Sequence, residues 1–160
     1  LVVAKSDFAH AHLAKQIADK AAERRYFALA YGTTEQVKFR VAAPIARDPR
    51  NRLKMSCQPV GRDAATQFRR FEIFGGGSLL SCKLETGRTH QIRVHLQAIG
   101  HPVKGDALYA TGPWAEGPMQ LHAALLCFVH PRSGEAMEFY LAPPESFIAH
   151  ELCTRESLIF

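Results

Sequence analysis

The chain has 160 residues, enough for one domain and too few for two full cores. With 47% apolar and 22% charged residues it has globular composition, which excludes a disordered or collagen-like chain. No apolar run reaches the roughly 18 residues of a membrane span, and a formal net charge of +5 points to an anionic partner, nucleic acid first.

In chain order, Leu1-Val2-Val3-Ala4 reads as the second half of a buried strand that opens with no turn residue ahead of it. No basic region and small-residue cleavage site marks a signal peptide, so the expectation is a chain truncated at its N-terminal side. Ser6 and Asp7 can cap a helix, and Ala9, Leu13, Ile17 and Ala21 recur every four residues behind them, predicting an amphipathic helix over 7–23. The aromatic-rich run 25–31, ended by Gly32, predicts a strand, and 37–43 a second, stopped by Pro44. Residues 45–61 read as irregular. A hairpin is expected over 65–74 and 78–85 about Gly75-Gly76-Gly77. Helical spacing returns through Ile92, Leu96 and Ile99, with Gly100 as a stop and Pro102 barring continuation. Strands over 121–129 and 136–141 follow, turning at Ser133-Gly134, and 145–160 is expected to be a short helical tail. The sum is an α+β chain with a mixed, largely antiparallel sheet and flanking helices: a domain over 1–144 and a tail over 145–160.

Four cysteines, Cys57, Cys82, Cys127 and Cys153, lie far apart without a C-x-x-C pair. Neither a disulfide framework nor a zinc ribbon has that spacing, which fits reduced thiols, a cytoplasmic protein and no metal. His90 and His95 are five apart, out of step with the i, i+4 pairing of a helical zinc site. Charge is uneven. Nine basic residues stand against two acids between Lys38 and Arg70, whereas five acids face one arginine from Glu135 onward. Arg47, Arg50, Arg52 and Lys54 fall in a loop with Asn and Pro; such a run is either a solvated face or a phosphate-binding loop.

The densest polar segment is Leu84-Glu85-Thr86-Gly87-Arg88-Thr89-His90-Gln91-Ile92-Arg93-Val94-His95. Cations at the start of a helix oppose its dipole unless an anion sits there, and the free backbone N–H groups of that turn also favour an anion. The same segment, followed by Gly100-His101-Pro102-Val103-Lys104-Gly105-Asp106 and Tyr109, resembles the RluA family of pseudouridine synthases. So do Arg25-Tyr26-Phe27-Ala28, Leu121-His122-Ala123 and His130-Pro131-Arg132-Ser133-Gly134-Glu135, in the family's order.

The resemblance implies isomerisation of uridine to pseudouridine in structured RNA, ribosomal rather than transfer RNA, with no metal and no organic cofactor. It implies the family's catalytic-domain fold, shortened at its N-terminal side. Tyr26 matches the tyrosine that stacks on the flipped base and is a candidate for removing the C5 proton. Arg93 matches the arginine that pairs with the catalytic carboxylate. On the residues alone, Tyr26 reads as a half-buried strand aromatic and Arg93 as a surface helix arginine. Arg88, His90, Gln91, Lys104 and His122 are expected at the RNA, with the arginines of the basic loop and Lys54. The family's His-Arg-Leu-Asp motif is nowhere in the chain. Its aspartate is expected about seven residues ahead of Leu1. Asp7 and Asp106 are not expected to replace it, so these residues alone are expected not to turn over. The alternatives are a non-catalytic RNA-binding or accessory protein, or a structural remnant. With strands missing, residues 1–3 and the inner face of 28–30 are expected to lose neighbours and the chain to associate.

Overall fold

A computed structural model describes residues 2–160; Leu1, part of the expected first strand, lies outside them. Helix α1 (Asp7–Ala18) leads into strand β1 (Glu23–Tyr31), followed by β2 (Lys38–Ala42), β3 (Ile45–Arg47) and β4 (Met55–Cys57). Strands β5 (Ala65–Phe74) and β6 (Gly77–Leu84) precede helix α2 (Gln91–Ala98), and β7 (Leu121–Val129) and β8 (Ala136–Tyr140) complete the sheet. The main sheet has six strands in the order β2-β5-β6-β1-β7-β8, with every neighbouring pair antiparallel. The α+β class and the antiparallel character are therefore as the sequence predicts.

β1 is central because it is apolar on both faces. Phe27 and Leu29 point to one side, where they pack with Leu79, Ala124, Phe147 and Leu158. Ala28 and Ala30 point to the other and, being small, let α2 close on the sheet through Ile92 and Leu96. Residues 28–30 are thus buried between β6 and β7, which corrects the expectation that they lose neighbours. A third cluster, Ile45, Ala64, Val94 and Tyr109, fills the opposite side of α2.

Four further expectations are corrected. Residues 2–4 form no strand, and Val2 and Val3 are exposed. Helix α1 stops at Ala18, and Lys20 adopts a left-handed φ of 60° that no helix continues through. Its apolar stripe is largely wet; Gln16 attaches it instead, donating to the Val129 carbonyl at 2.7 Å and accepting the Val129 N–H at 2.8 Å. Residues 45–61 are ordered as a small antiparallel pair, β3 on β4. The tail carries two 3-10 turns, 150–152 and 156–158, rather than an α-helix. It covers the first face of the sheet with Phe147, Ala149, Cys153 and Leu158.

Candidate active site and RNA-facing surface

The turn entering α2 is held from beneath. His90 occupies the N-cap position with φ 56° and ψ 20° and caps no backbone group with its side chain. Capping falls to Gln91. Its Oε1 accepts the Thr86 hydroxyl at 2.6 Å and the Arg88 N–H at 2.9 Å, while its Nε2 donates to the Ala65 carbonyl and the Thr66 hydroxyl, both 2.9 Å. Thr66 Oγ1 lies 2.9 Å from His95 Nδ1, and His95 Nε2 lies 3.1 Å from the Ala43 carbonyl. A carbonyl can only accept, so Nε2 carries the proton and Nδ1 takes the Thr66 hydroxyl. Burial lowers the His95 pKa and keeps the ring neutral. Gln91, expected at the RNA, is therefore a buried strut at 3% exposure with its amide fully used.

Turned outward from the same helix is a charged cluster. Arg93 donates from Nε to Asp106 Oδ2 and from Nη2 to Asp106 Oδ1, both at 2.7 Å, and the carboxylate is fully buried. Asp106 Oδ1 also accepts the backbone N–H groups of Leu108 and Tyr109. The Arg93 guanidinium stands 4.9 Å from the Tyr109 ring centroid. Tyr109 is the hub: its hydroxyl accepts the Met55 N–H at 2.8 Å and meets His90 Nδ1 at 2.9 Å. The His90 pKa is lowered, by burial first and then by Arg93, which suits a ring that accepts from the phenol. Lys54 Nζ sits 5.9 Å over the same ring. The basic hairpin and the start of α2 are joined through one tyrosine.

That hairpin is built rather than loose. Asp48 Oδ1 accepts the N–H groups of Arg50 and Asn51 at 2.8 and 3.1 Å, and the Arg47 guanidinium donates to the Arg52 carbonyl. Arg50 and Arg52 are left exposed at its tip. Arg88, in the turn ahead of α2, donates from Nε to the Asp63 carbonyl at 2.9 Å.

Tyr26 lies on β1, between Cys82 of β6 and Ala123 of β7, beside a register shift at Arg25/Tyr26. Half-buried, it packs on the cluster containing Ile92, the neighbour of Arg93, and opens into a groove of about 430 Å³. Burial raises its phenol pKa, and the charge of Arg24 partly offsets that rise. Lys104 and His122 are tied elsewhere: Lys104 donates to the Pro113 carbonyl, and His122 Nε2 to the Leu141 carbonyl, each at 2.9 Å. Of the residues singled out from sequence, Lys54, His90 and Arg93 converge on Tyr109. The fork of Arg93 is taken by Asp106.

Comparison with known proteins matches this arrangement to a family. The family model for RNA pseudouridylate synthases matches residues 1–98. An uncharacterized RNA pseudouridine synthase of Bacillus subtilis is 42% identical over 146 residues, 91% of this chain and 48% of that protein. A ribosomal large subunit pseudouridine synthase D of Zymomonas mobilis is 42% identical over 156 residues, 91% of this chain and 49% of its own. The solved structure of human RNA pseudouridylate synthase domain containing 1 superposes with a TM-score of 0.76 at 26% identity, covering 89% of this chain and 63% of that one. The chain spans about half the length of the curated relatives it matches. By the family match over residues 1–98 and relatives 42% identical over 91% of its length, the chain belongs to the RNA pseudouridine synthase family, in its RluA branch.

Proposed function

We propose that this chain is part of an enzyme that isomerises uridine to pseudouridine in ribosomal RNA. The observation that carries the reading is the family match over residues 1–98, which includes Tyr26 and Arg93. Names of relatives that act on the large ribosomal subunit favour ribosomal RNA as the substrate. The reaction breaks the bond from C1′ to N1, turns the base, joins C1′ to C5, and moves the C5 proton off as N1 gains one. Atoms balance without an oxidant or a cofactor.

Tyr26 stacks on the flipped base and is the candidate to take the C5 proton; burial raises its phenol pKa, and the charge of Arg24 opposes that rise only in part. Arg93 holds the wall of the site through Asp106 and keeps one nitrogen, Nη1, for a further acceptor. Arg47, Arg50, Arg52, Lys54, Arg88 and His90 engage phosphates, which offsets the few kcal/mol of base flipping. The nucleophilic carboxylate is not among these 160 residues, since His-Arg-Leu-Asp does not occur in them. The residues as given are expected to bind RNA without turnover. The bacterial relatives named for the large ribosomal subunit favour the cytoplasm as the place of action.

Sequencing the coding DNA ahead of the Leu1 codon tests the catalytic half of the reading. An in-frame His-Arg-Leu-Asp is expected there. A stop codon or unrelated sequence would leave an RNA-binding protein without catalysis.

A further inference from the structure

Arg24 and Arg25 are neighbours on β1 with opposite fates. Arg25 points to the tail side, where it pairs with Glu23 and donates to the Leu158 carbonyl. Arg24 points to the other side with Tyr26, and among the described residues it has no salt-bridge partner. Its Nε is buried and has no hydrogen-bond partner among them. A buried donor left unpaired costs on the order of 1–3 kcal/mol, more when charged, and such a group in a native fold calls for an acceptor.

The surroundings say which kind. The guanidinium lies against Gly87, where a Cβ would press on Nη1 and push that side-chain tip aside. Gly87 belongs to the turn that carries Arg88 and leads to His90. Arg24 therefore stands where the cationic turn meets the groove, and Ala123, Leu125 and Tyr140 of that groove bring no anion. Residues i and i+2 of a strand share a face about 6.6 Å apart.

We propose that Arg24 binds the phosphodiester of the nucleotide whose base Tyr26 stacks upon, fixing the flipped uridine at both ends. The inference rests on the RNA-modifying reading above. Arg24 is thus a substrate-positioning residue, with a guanidinium fork suited to two phosphate oxygens.

The test uses the protein expressed from its own reading frame and a large-subunit ribosomal RNA transcript carrying tritium at C5 of uridine. Arg24→Gln should weaken RNA binding about tenfold, as loss of a charge-assisted contact does. It should also make the slope of log K against log salt shallower by about 0.7, one single-strand phosphate contact. Arg132→Gln, an equal loss of charge at an exposed site, should leave that slope unchanged. Arg24→Lys should keep the slope. An unchanged slope in Arg24→Gln overturns the proposal, as does an equal change in Arg132→Gln. If kcat falls with affinity and slope intact, Arg24 serves a protein carboxylate instead and the proposal fails. Should Arg24→Gln not fold, dicarbonyl modification of the wild type mapped by mass spectrometry decides. RNA must protect Arg24, and unprotected Arg24 refutes it. Failure of the wild type to bind RNA at all would sink the underlying reading, not the assignment of Arg24 alone.

Discussion

Arg93 and Asp106 meet fork to fork, two bonds of 2.7 Å with the carboxylate fully out of water. Breaking such a pair from one side leaves the other charge buried and uncompensated, typically at about 3–5 kcal/mol. Arg93 retains 13% exposure, which places its loss toward the lower end. Asp106→Asn is therefore expected to cost about 3 kcal/mol, read from urea unfolding. Arg93→Lys keeps the charge but not the fork and should lose about half as much. Wild-type stability in Asp106→Asn would show that the pair does not brace the loop after α2.

Tyr109 joins the basic hairpin to α2 through one hydroxyl, and Tyr109→Phe removes two hydrogen bonds while keeping the ring. A stability loss of about 1–2 kcal/mol follows from leaving the Met55 N–H without its partner. RNA affinity should fall with it, because Lys54 and the Arg50/Arg52 tip lose their anchor. Unchanged affinity alongside reduced stability would mean that the hairpin position does not matter for binding.

His95 gives the fold a dependence on pH. Its folded pKa lies below the ordinary value of about 6.5, so both states are neutral above that pH and nothing is lost. Below it the unfolded chain takes a proton that the folded chain refuses, and stability drops by up to about 1.4 kcal/mol per pH unit until the folded value is reached. His95→Gln should be less stable than wild type at pH 7.5, and the gap should narrow at pH 5.5. Parallel losses in both proteins between those pH values would contradict the assignment of the neutral ring.

Gly105 has a φ of 74°, and a Cβ there would run into the Pro118 carbonyl group and lie 2.8 Å from the Met119 nitrogen. Backbone cannot give way as a side-chain tip can. Gly105→Ala is expected to cost about 2–4 kcal/mol and to displace the neighbouring Asp106. Thermal unfolding together with RNA binding checks both effects.

Strand runs, the Gly75-Gly76 turn and the stop at Gly100 were legible because hydrophobic period and glycine chemistry are local. The β3–β4 pair was not, since three-residue strands whose apolar members pack on Val94 and Tyr109 show no period of their own. The helix α1 misled for a related reason: its four-residue stripe is real in sequence, yet the attachment is made by Gln16, a polar residue outside that stripe. At the site, the density of polar residues at a helix start marked the segment 84–95, but Arg93 and His90 themselves were singled out by the family resemblance. The inward role of Gln91 was hidden, because polarity in sequence does not tell a buried strut from a solvent-facing group. Arg24 was not legible: it falls just ahead of the expected strand 25–31, and only the start of β1 at Glu23 puts it at i−2 from Tyr26, on the same face.

Tritium release from C5 reads the isomerisation itself. The protein expressed from its own reading frame is incubated with ribosomal RNA labelled at C5 of uridine, and solvent tritium is counted. Release should reach a defined stoichiometry per RNA, with pseudouridine formed in equal amount, and Tyr26→Ala should slow it by at least about a hundredfold. RNA bound tightly with no tritium released would contradict the isomerisation.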